Sequence, residues 1–479
     1  MPPHFEDLAD TQNARLALSL GAEDFSLKAS GFFNRAANHF IYKDNTFDMR
    51  RRKTHNETYD GGAGLWATFK LPRYAKLSAA VDGYSGTKNF PQGGEEYGIQ
   101  EDFSIRESVM LDAPVVWSEK LSTEASVTHT YQSLEYTQSS RSHFGLHTVT
   151  AINRWGWFPN TAFTLRTGGD WRLTYLDSNT MGQRLRQDGG VYVTGEIAPH
   201  AAVLIIPSCK VILCGSDDDT EHSVRQLAAV VPKLGFALHP ASFLTLKNNY
   251  FRSFKFPDFE DLYWAPGNGF AGNPALKPED GWGADLGAAY THRLFSLDGT
   301  VFAQWTRDSI HWSQGGDSVW RPYNVGEAAY FGLNAKIAFD IPLGNGVFRA
   351  LKPSASYQFM RSYLLSYGYT WESEKRIPYM PEHTIDLSLD LRWSSGSAVL
   401  SARYETLRYG NTGNTTELPA YFLLNLTVNQ NINANFALFA ALRNMTNTSY
   451  QSYHEYPMPG LVMTLGVQFN IHTKKENEE

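Results

Sequence analysis

The segment GNGFAGNPALKPED, residues 267–280, contains the glycine spacing of a dinucleotide-binding turn. Gly267, Gly269 and Gly272 satisfy G-x-G-x-x-G, in which backbone amides and a helix N-terminus hold a pyrophosphate. Such a turn must join a strand to a helix within a βαβ unit. Here YWAP precedes the glycines and NPALKP follows them, and these prolines forbid a helix start of that type. The segment therefore predicts a surface loop shaped by glycine and proline, and not a nucleotide site.

An acidic run is the second candidate for chemistry. Asp217, Asp218 and Asp219 stand in the stretch GSDDDTEH. Carboxylate oxygens are the ligands that Ca²⁺ prefers, so the run is a candidate calcium site, with a solvated acidic loop as the alternative. No H-E-x-x-H, G-x-S-x-G, C-x-x-C or P-loop motif occurs. The sequence therefore predicts neither an enzyme nor a bound cofactor.

The elements that carry these residues read as long β-strands. In TIDLSLDLRW, residues 384–393, apolar and polar residues alternate strictly, which predicts a strand with one apolar and one wet face. Residues 461–471 repeat the pattern, and similar segments of about 8–15 residues run along the whole chain. Strands of about ten residues suit a tilted path across a bilayer. Cys209 and Cys214 are an odd number apart, so in a strand they lie on opposite faces, beyond disulfide reach.

The connections between these segments alternate in length. Tight polar turns such as 22–24, 292–294 and 394–396 alternate with long stretches such as 177–188, 255–278 and 445–460. Short turns on one side and long loops on the other are typical of an outer-membrane β-barrel, whose long loops face outward. The fold class expected is all-β, a transmembrane antiparallel barrel spanning residues 1–471, followed by a polar tail at 472–479.

The strand count adds a second expectation. About 21 strands are counted, whereas single-chain bacterial barrels have an even number. The first and the last strand both run toward the short-turn side, so one upstream strand is expected to complete a parent barrel of about 22 strands. Barrels of that size have a plugged lumen. The N-terminus, MPPHFEDLADTQ, shows no signal-peptide pattern.

Charge and hydropathy exclude other classes. Lysine and arginine number 42 against 49 aspartates and glutamates, so the net charge of −7 gives no basic surface for nucleic acid. Aromatic residues make up 14% of the chain, yet the mean hydropathy is −0.36. No apolar run approaches the roughly 18–20 residues of a membrane-spanning helix.

Two stretches resemble motifs of the TonB-dependent receptor family. The first contains Phe251, Arg252 and Pro257, then Gly272, Asn273, Pro274, Leu276, Pro278 and Glu279. The second, LRNMTNTSYQSYHEYPMPG at 442–460, resembles the segment before the family's last strand. The resemblance covers the barrel half of the family, and the family's plug domain and TonB-contacting segment have no counterpart in these 479 residues.

The resemblance implies an outer-membrane receptor for a scarce nutrient, such as a metal–siderophore complex or a corrinoid. The implied partners are outer-membrane lipid, a plug domain, a TonB-type energising complex and the nutrient. Aromatic residues in the predicted outer loops are the candidate ligand contacts, namely Tyr263, Trp264, Phe270, Tyr450, Tyr453 and Tyr456. The alternatives are a passive diffusion channel, a soluble β-rich enzyme or binding module, and a non-functional fragment of a split gene.

Overall fold

The computed structural model describes residues 11–44, 49–91, 97–115, 118–138, 140–218, 223–266, 269–324, 326–344, 346–364 and 375–469. Within these ranges the chain is mostly β-strand, with one α-helix, α1 (Phe259–Tyr263), and one short 3-10 helix (Pro72–Tyr74). No helix in the same ranges has the length and apolar character needed to cross a membrane. The all-β fold class is therefore confirmed.

Within the described residues, one sheet contains 22 strands. They are β1 (Thr11–Gly21), β2 (Phe25–Ala36), β5 (Thr58–Lys70), β6 (Lys76–Pro91), β7 (Tyr97–Ala113), β8 (Leu121–Thr137), β9 (Arg141–Asn160), β10 (Phe163–Ser178), β11 (Gly182–His200), β12 (Val203–Asp218), β13 (Ser223–Ala241), β14 (Leu244–Lys255), β15 (Glu279–Thr291), β16 (Phe295–Arg307), β19 (Glu327–Phe339), β20 (Ile341–Pro342), β21 (Phe348–Leu364), β22 (His383–Trp393), β23 (Gly396–Glu405), β26 (Tyr421–Asn431), β27 (Phe436–Arg443) and β30 (Val462–Phe469).

Four short hairpins lie in the longer connections. They are β3 (Phe40–Asp44) with β4 (Met49–Lys53), β17 (Ile310–Gln314) with β18 (Trp320–Asn324), β24 (Arg408–Tyr409) with β25 (Glu417–Leu418), and β28 (Gln451–Tyr453) with β29 (Tyr456–Pro457).

Each strand of the main sheet pairs antiparallel with the next main-sheet strand along the chain, as in β14 with β15 and β22 with β23, except that β19 and β20 both pair with β21. In the part of the chain that the structure describes, no pairing joins β1 to β30, so the sheet keeps two edges. The sheet nevertheless curls far enough for its first and last loops to meet, because β3 packs against β29.

The two faces of the sheet differ in chemistry. On one face of β7, Val109 is 53% exposed. The opposite face of β7 carries Arg106, whose Nη2 lies 2.8 Å from Asp82 Oδ1 on β6. On β30, Leu465 and Phe469 are 64% and 66% exposed. Large apolar side chains exposed in rows are unusual on a water-soluble protein, and they match the lipid-facing wall of a barrel. We call the apolar face the outer face and the charged one the lumen face.

The connections follow the expected alternation only in part. The stretch 177–188 is not a long loop, since β10 continues to Ser178 and β11 begins at Gly182. Conversely, β16 and β19 are joined by a long connection that contains β17 and β18. The sequence does not distinguish a long strand from a long loop at these positions, because a strand with polar residues on its lumen face has a loop-like composition.

The largest fully buried side chains lie in the loops, in their short hairpins or at a strand end. Among the described residues they are Leu276, Leu364, Leu418, Pro257 and Pro322. Cys209 and Cys214 both lie on β12 and form no disulfide bond, and Cys214 is buried. The predicted tail, 472–479, lies outside the described residues.

Candidate ligand-binding surface

The loop between β14 and β15 begins with α1, whose start is fixed by acidic residues. The backbone amide of Asp258 donates a hydrogen bond to Asp261 Oδ2 at 3.2 Å, an arrangement that satisfies a free amide at the helix start. Asp261 is 9% exposed, and its other oxygen accepts a hydrogen bond from Trp312 Nε1 at 3.0 Å. The indole therefore ties the β17–β18 hairpin to α1.

Gly272 and Asn273 of the first motif pack this loop together. A Cβ on Gly272 would lie 2.7 Å from the Leu262 carbonyl carbon and from the Trp264 amide nitrogen, so only glycine fits. The Asn273 amide donates to Asp261 O at 2.7 Å, and its side chain donates to Pro322 O at 3.0 Å. These residues hold α1, the loop and β18 as one unit.

The remaining motif residues have structural contacts as well. Glu279 Oε1 accepts hydrogen bonds from the Ile310 amide at 2.7 Å and the Ser309 hydroxyl at 3.3 Å. Arg252 pairs with Asp280 across β14 and β15. Leu276 is 1% exposed. Phe251 lies over the position of Gly283, Pro274 is exposed, and Pro278 is half-buried.

The glycine spacing at 267–272 has a structural explanation. Gly267 lies outside the described residues, while Gly269 has a φ of +79°, the left-handed region that favours glycine. Its carbonyl accepts a hydrogen bond from the Trp320 amide at 2.7 Å. The segment runs from α1 to β15, the reverse of the strand-to-helix order that a nucleotide turn requires.

Trp264 and Phe270 lie in one aromatic group, and Tyr263 lies beside Phe259, with ring centroids 6.2 Å apart. The ring centroid of Trp264 is 6.0 Å from Phe144 and 6.5 Å from Phe270. Phe270 lies 6.3 Å from Trp312 and is 44% exposed. The Arg184 guanidinium stands 4.5 Å from the Tyr263 ring centroid. We call Trp264, Phe270 and Trp312 the first aromatic group.

Tyr450, Tyr453 and Tyr456 belong to the loop before β30. Tyr450 lies 4.7 Å from Tyr421 and Tyr453 lies 4.8 Å from Tyr379, measured between ring centroids. Burial, with the nearby charge of Glu405, raises the pKa of Tyr450, so its hydroxyl stays protonated. Tyr453 and Tyr456 are 59% and 61% exposed. Among the described residues no ring contact joins these tyrosines to the first aromatic group.

Buried polar residues hold this second loop in place. Asn444 is 4% exposed and donates from its side chain to the carbonyls of Thr448 and Pro459. Arg408 donates to Gln451 O at 2.8 Å and lies 3.3 Å from Glu405. The resemblance to the second family motif pointed to the loop before β30. It did not point to Glu405 and Arg408, because their spacing in the sequence matches no motif.

A cavity of about 510 Å³ lies where the lumen face meets the loops. Its wall combines charged, amide, phenol and thioether groups, from Lys255, Glu279, Gln304, Tyr330, Met360 and Met380. The sequence did not predict this cavity, because its residues come from six separate segments.

The candidate calcium site lies mostly outside the described residues. Asp219 and the side chains of Asp217 and Asp218 lie outside the described part of the structure. In the part that is described, no group of three or more His, Cys, Asp or Glu residues has metal-binding geometry.

Structural comparison finds similar barrels in transport proteins. The copper transporter OprC superposes with a TM-score of 0.78 at 14% identity, over 98% of this chain and 81% of that one. The FrpB iron transporter from Neisseria meningitidis superposes with a TM-score of 0.77 at 11% identity, over 96% and 79%. The ferric enterobactin receptor PfeA from Pseudomonas aeruginosa gives 0.74 at 14% identity, over 96% and 78%.

Sequence comparison finds curated relatives. The vitamin B12 transporter BtuB of Vibrio vulnificus strain YJ016 is 24% identical over 314 residues, 64% of this chain and 46% of the relative. That of strain CMCP6 is 22% identical over 405 residues, 80% and 60%. The chain thus spans about half the length of the curated relatives it matches.

The family model described as "TonB dependent receptor-like, beta-barrel" matches residues 4–445. Members of this family are receptors and transporters of the outer membrane. The matched residues include the 22-stranded sheet up to β27 and the whole first motif. The chain therefore belongs to the TonB-dependent receptor family and matches its β-barrel.

Proposed function

We propose that this chain is the barrel part of an outer-membrane receptor that binds a scarce small nutrient on its loops and passes it through its lumen. One observation carries the proposal: an aromatic loop surface, held together by Gly272 and Asn273, accompanies a cavity of mixed polar and apolar lining at the loop end of the lumen face. Tyrosine and tryptophan provide contact area with a polar tip, which suits ligand recognition.

The lumen face supports passage of a polar solute. Basic and acidic side chains pair across neighbouring strands at 2.7–2.8 Å in Arg106–Asp82, Arg154–Glu124, Arg172–Asp188 and Arg166–Glu196. Lys210 on β12 reaches past β11 to Asp170 on β10, at 2.6 Å. These groups are partly exposed, as expected along a water-filled path. Because each charge is offset by a neighbour, the wall attracts neither cations nor anions strongly.

Strand parity supports a closed parent barrel. Ala338 on β19 pairs with Ser354, and Ile341 on β20 pairs with Leu351, in one unbroken register along β21. We therefore count β19 and β20 as one strand, which leaves 22 − 1 = 21 strands in the sheet. With an odd number of alternating strands, β1 and β30 run parallel. One further strand, antiparallel to both, would close the barrel at 22. We assign residues 1–471 to the barrel and 472–479 to a polar tail.

The nutrient we propose is a metal–siderophore complex or a corrinoid. This choice follows the names of two similar proteins, a ferric enterobactin receptor and a vitamin B12 transporter. Tyr263, Trp264, Phe270, Tyr450, Tyr453 and Tyr456 are the proposed contacts. The outer face would contact outer-membrane lipid. A plug domain and a TonB-type energising complex would gate the lumen and supply energy, and Asp217, Asp218 and Asp219 would bind Ca²⁺ in an outer loop.

Equilibrium binding tests the ligand surface. Titration of the detergent-solubilised chain with vitamin B12 and with ferric enterobactin, followed by tryptophan fluorescence, should show saturable quenching by one of them. Replacing both Trp264 and Phe270 with alanine should weaken that binding at least tenfold, which corresponds to about 1.4 kcal/mol. Leu286→Ala on the outer face is the control. If both variants bound the ligand with the same affinity, the ligand would lie elsewhere on the protein.

A passive diffusion channel is the second candidate, favoured by the charge-balanced lumen face. It predicts steady, ligand-independent conductance of the chain in planar bilayers. A coding sequence for a plug immediately upstream of Met1 would favour the receptor. A non-functional fragment of a split gene predicts neither binding nor conductance.

A further inference from the structure

The outer face of β7, β8 and β9 contains ionisable side chains that the proposed nutrient path does not use. Glu107 on β7 stands opposite His129 on β8, and His147 on β9 is the diagonal neighbour of His129. All three share the face of Val109 and Val127, which are 53% and 54% exposed. Ionisable groups on the lipid-facing wall of a barrel cost free energy. Three of them on adjacent strands therefore need a compensating interaction.

The distances within this cluster fit a metal ion. His129 Nε2 and His147 Nδ1 are 3.3 Å apart. A tetrahedral ion with two imidazole nitrogens at about 2.0–2.1 Å holds those nitrogens roughly 3.3–3.4 Å apart. The two rings are nearly parallel, at 16°, and His147 is exposed while His129 is half-buried. A modest ring rotation can therefore aim both nitrogens at one ion.

The second nitrogen of His129 faces a carboxylate. Nδ1 lies 3.5 Å from Glu107 Oε2. Metal-ligating histidines usually donate their other N–H to a carboxylate, which fixes the ring orientation and raises the basicity of the ligating nitrogen. Tyr131 lies against His147, with ring centroids 4.5 Å apart, and restricts that ring on the other side.

We propose that His129 and His147 bind a divalent transition-metal ion on the outer face, with Glu107 as the positioning residue. Imidazole nitrogen suits Zn²⁺, Cu²⁺ and Ni²⁺, and the calcium-type ions prefer oxygen. The remaining coordination positions are open to a ligand from outside the chain. The ion offsets the charge of Glu107 and links β8 to β9. An N–H···N hydrogen bond between the imidazoles without an ion is the competing arrangement.

Copper binding monitored by electron paramagnetic resonance tests the proposal. The probe is Cu²⁺ added to the chain, purified without a histidine tag, in detergent micelles. The spectrum should show nitrogen splitting from two imidazoles. His147→Ala should reduce this to one nitrogen and weaken binding at least tenfold. Glu107→Gln should keep two nitrogens yet weaken binding by about 10–100-fold, which a merely structural carboxylate would not do.

The matched control is His383→Ala, which removes a histidine bonded to Tyr357 at 2.8 Å and should leave the spectrum unchanged. Zn²⁺ should also raise the unfolding temperature of the wild-type chain and not that of a variant with both His129 and His147 changed to alanine. A two-nitrogen spectrum in that double variant, or a wild-type spectrum with no more than one nitrogen, would overturn the proposal. Unchanged migration of each variant on unheated SDS gels confirms that it has folded.

Discussion

Arg252 and Asp280 form a two-point ion pair that joins the two halves of the first family motif. Arg252 Nε lies 2.7 Å from Asp280 Oδ1, and Nη2 lies 2.8 Å from Oδ2. The third guanidinium nitrogen donates to the carbonyl of Val230 on β13 at 2.7 Å. One side chain therefore ties three neighbouring strands at the point where β14 ends and the loop begins.

Arg252→Lys should lower the free energy of unfolding by about 1 kcal/mol, because lysine keeps the charge but cannot make the parallel bonds. The measurement is the temperature at which the folded band disappears on unheated SDS gels. Arg307→Lys is the matched control, since Arg307 and Glu327 are 3.8 Å apart and more exposed. Equal shifts in both variants would contradict the role given to the two-point geometry.

Gly272→Ala should loosen the loop between α1 and β15. The added methyl carbon meets backbone atoms of Leu262 and Trp264 at 2.7 Å, so the loop must shift. We expect faster protease cleavage of this loop on intact cells, with the barrel unfolding temperature unchanged. Gly316→Ala is the control, because nothing lies within 4 Å of its Cβ position. Identical cleavage rates for both variants would show that the close approach is unimportant.

Trp312→Phe should destabilise the loop locally by about 1–3 kcal/mol, because it leaves a buried Asp261 oxygen without its donor. Hydrogen exchange of the amides in residues 258–276 measures this loss. Trp305→Phe, on the exposed outer face, should leave that exchange unaltered. Protection that survives in Trp312→Phe would mean that the indole hydrogen bond adds nothing.

Acidic pH should loosen the β17–β18 hairpin through His311. Burial lowers the pKa of His311 below its ordinary value, and the charge of Glu279 opposes that shift only in part. The unfolded loop therefore binds a proton more readily than the folded one, and stability falls as the pH drops below about 6.5. Protease cleavage of the hairpin at pH 7.5 and 5.5 measures the effect.

The neutral variant His311→Asn should remove most of this pH dependence. Asp317 and Arg321, in the same hairpin, form an ion pair in which each stabilises the charge of the other. The hydrogen bond from Arg321 is the main cause of the lowered pKa of Asp317. Because the pKa of Asp317 lies below the tested pH range and that of Arg321 lies above it, neither charge changes and the pair serves as an internal reference. An equally steep pH dependence in His311→Asn would assign the effect to another group.

The sequence by itself determined the strands and their faces. Alternation in TIDLSLDLRW predicted β22, and alternation at 461–471 predicted β30 with its exposed apolar row. This succeeds because side chains in a strand alternate faces with a period of two, and a barrel wall has lipid on one side and water on the other. The motif spacing, with the family resemblance it carries, also lies in sequence letters alone.

Only the tertiary structure decided how the loops pack and which residues meet. The Asp261–Trp312 bond joins residues 51 apart, and Asn273 reaches Pro322 across 49. The cavity above the lumen and the Glu107–His129–His147 cluster each depend on register between neighbouring strands. A shift of one residue would move each side chain to the opposite face. Local pattern cannot supply that register, because it is set by the turns and loops of the whole sheet.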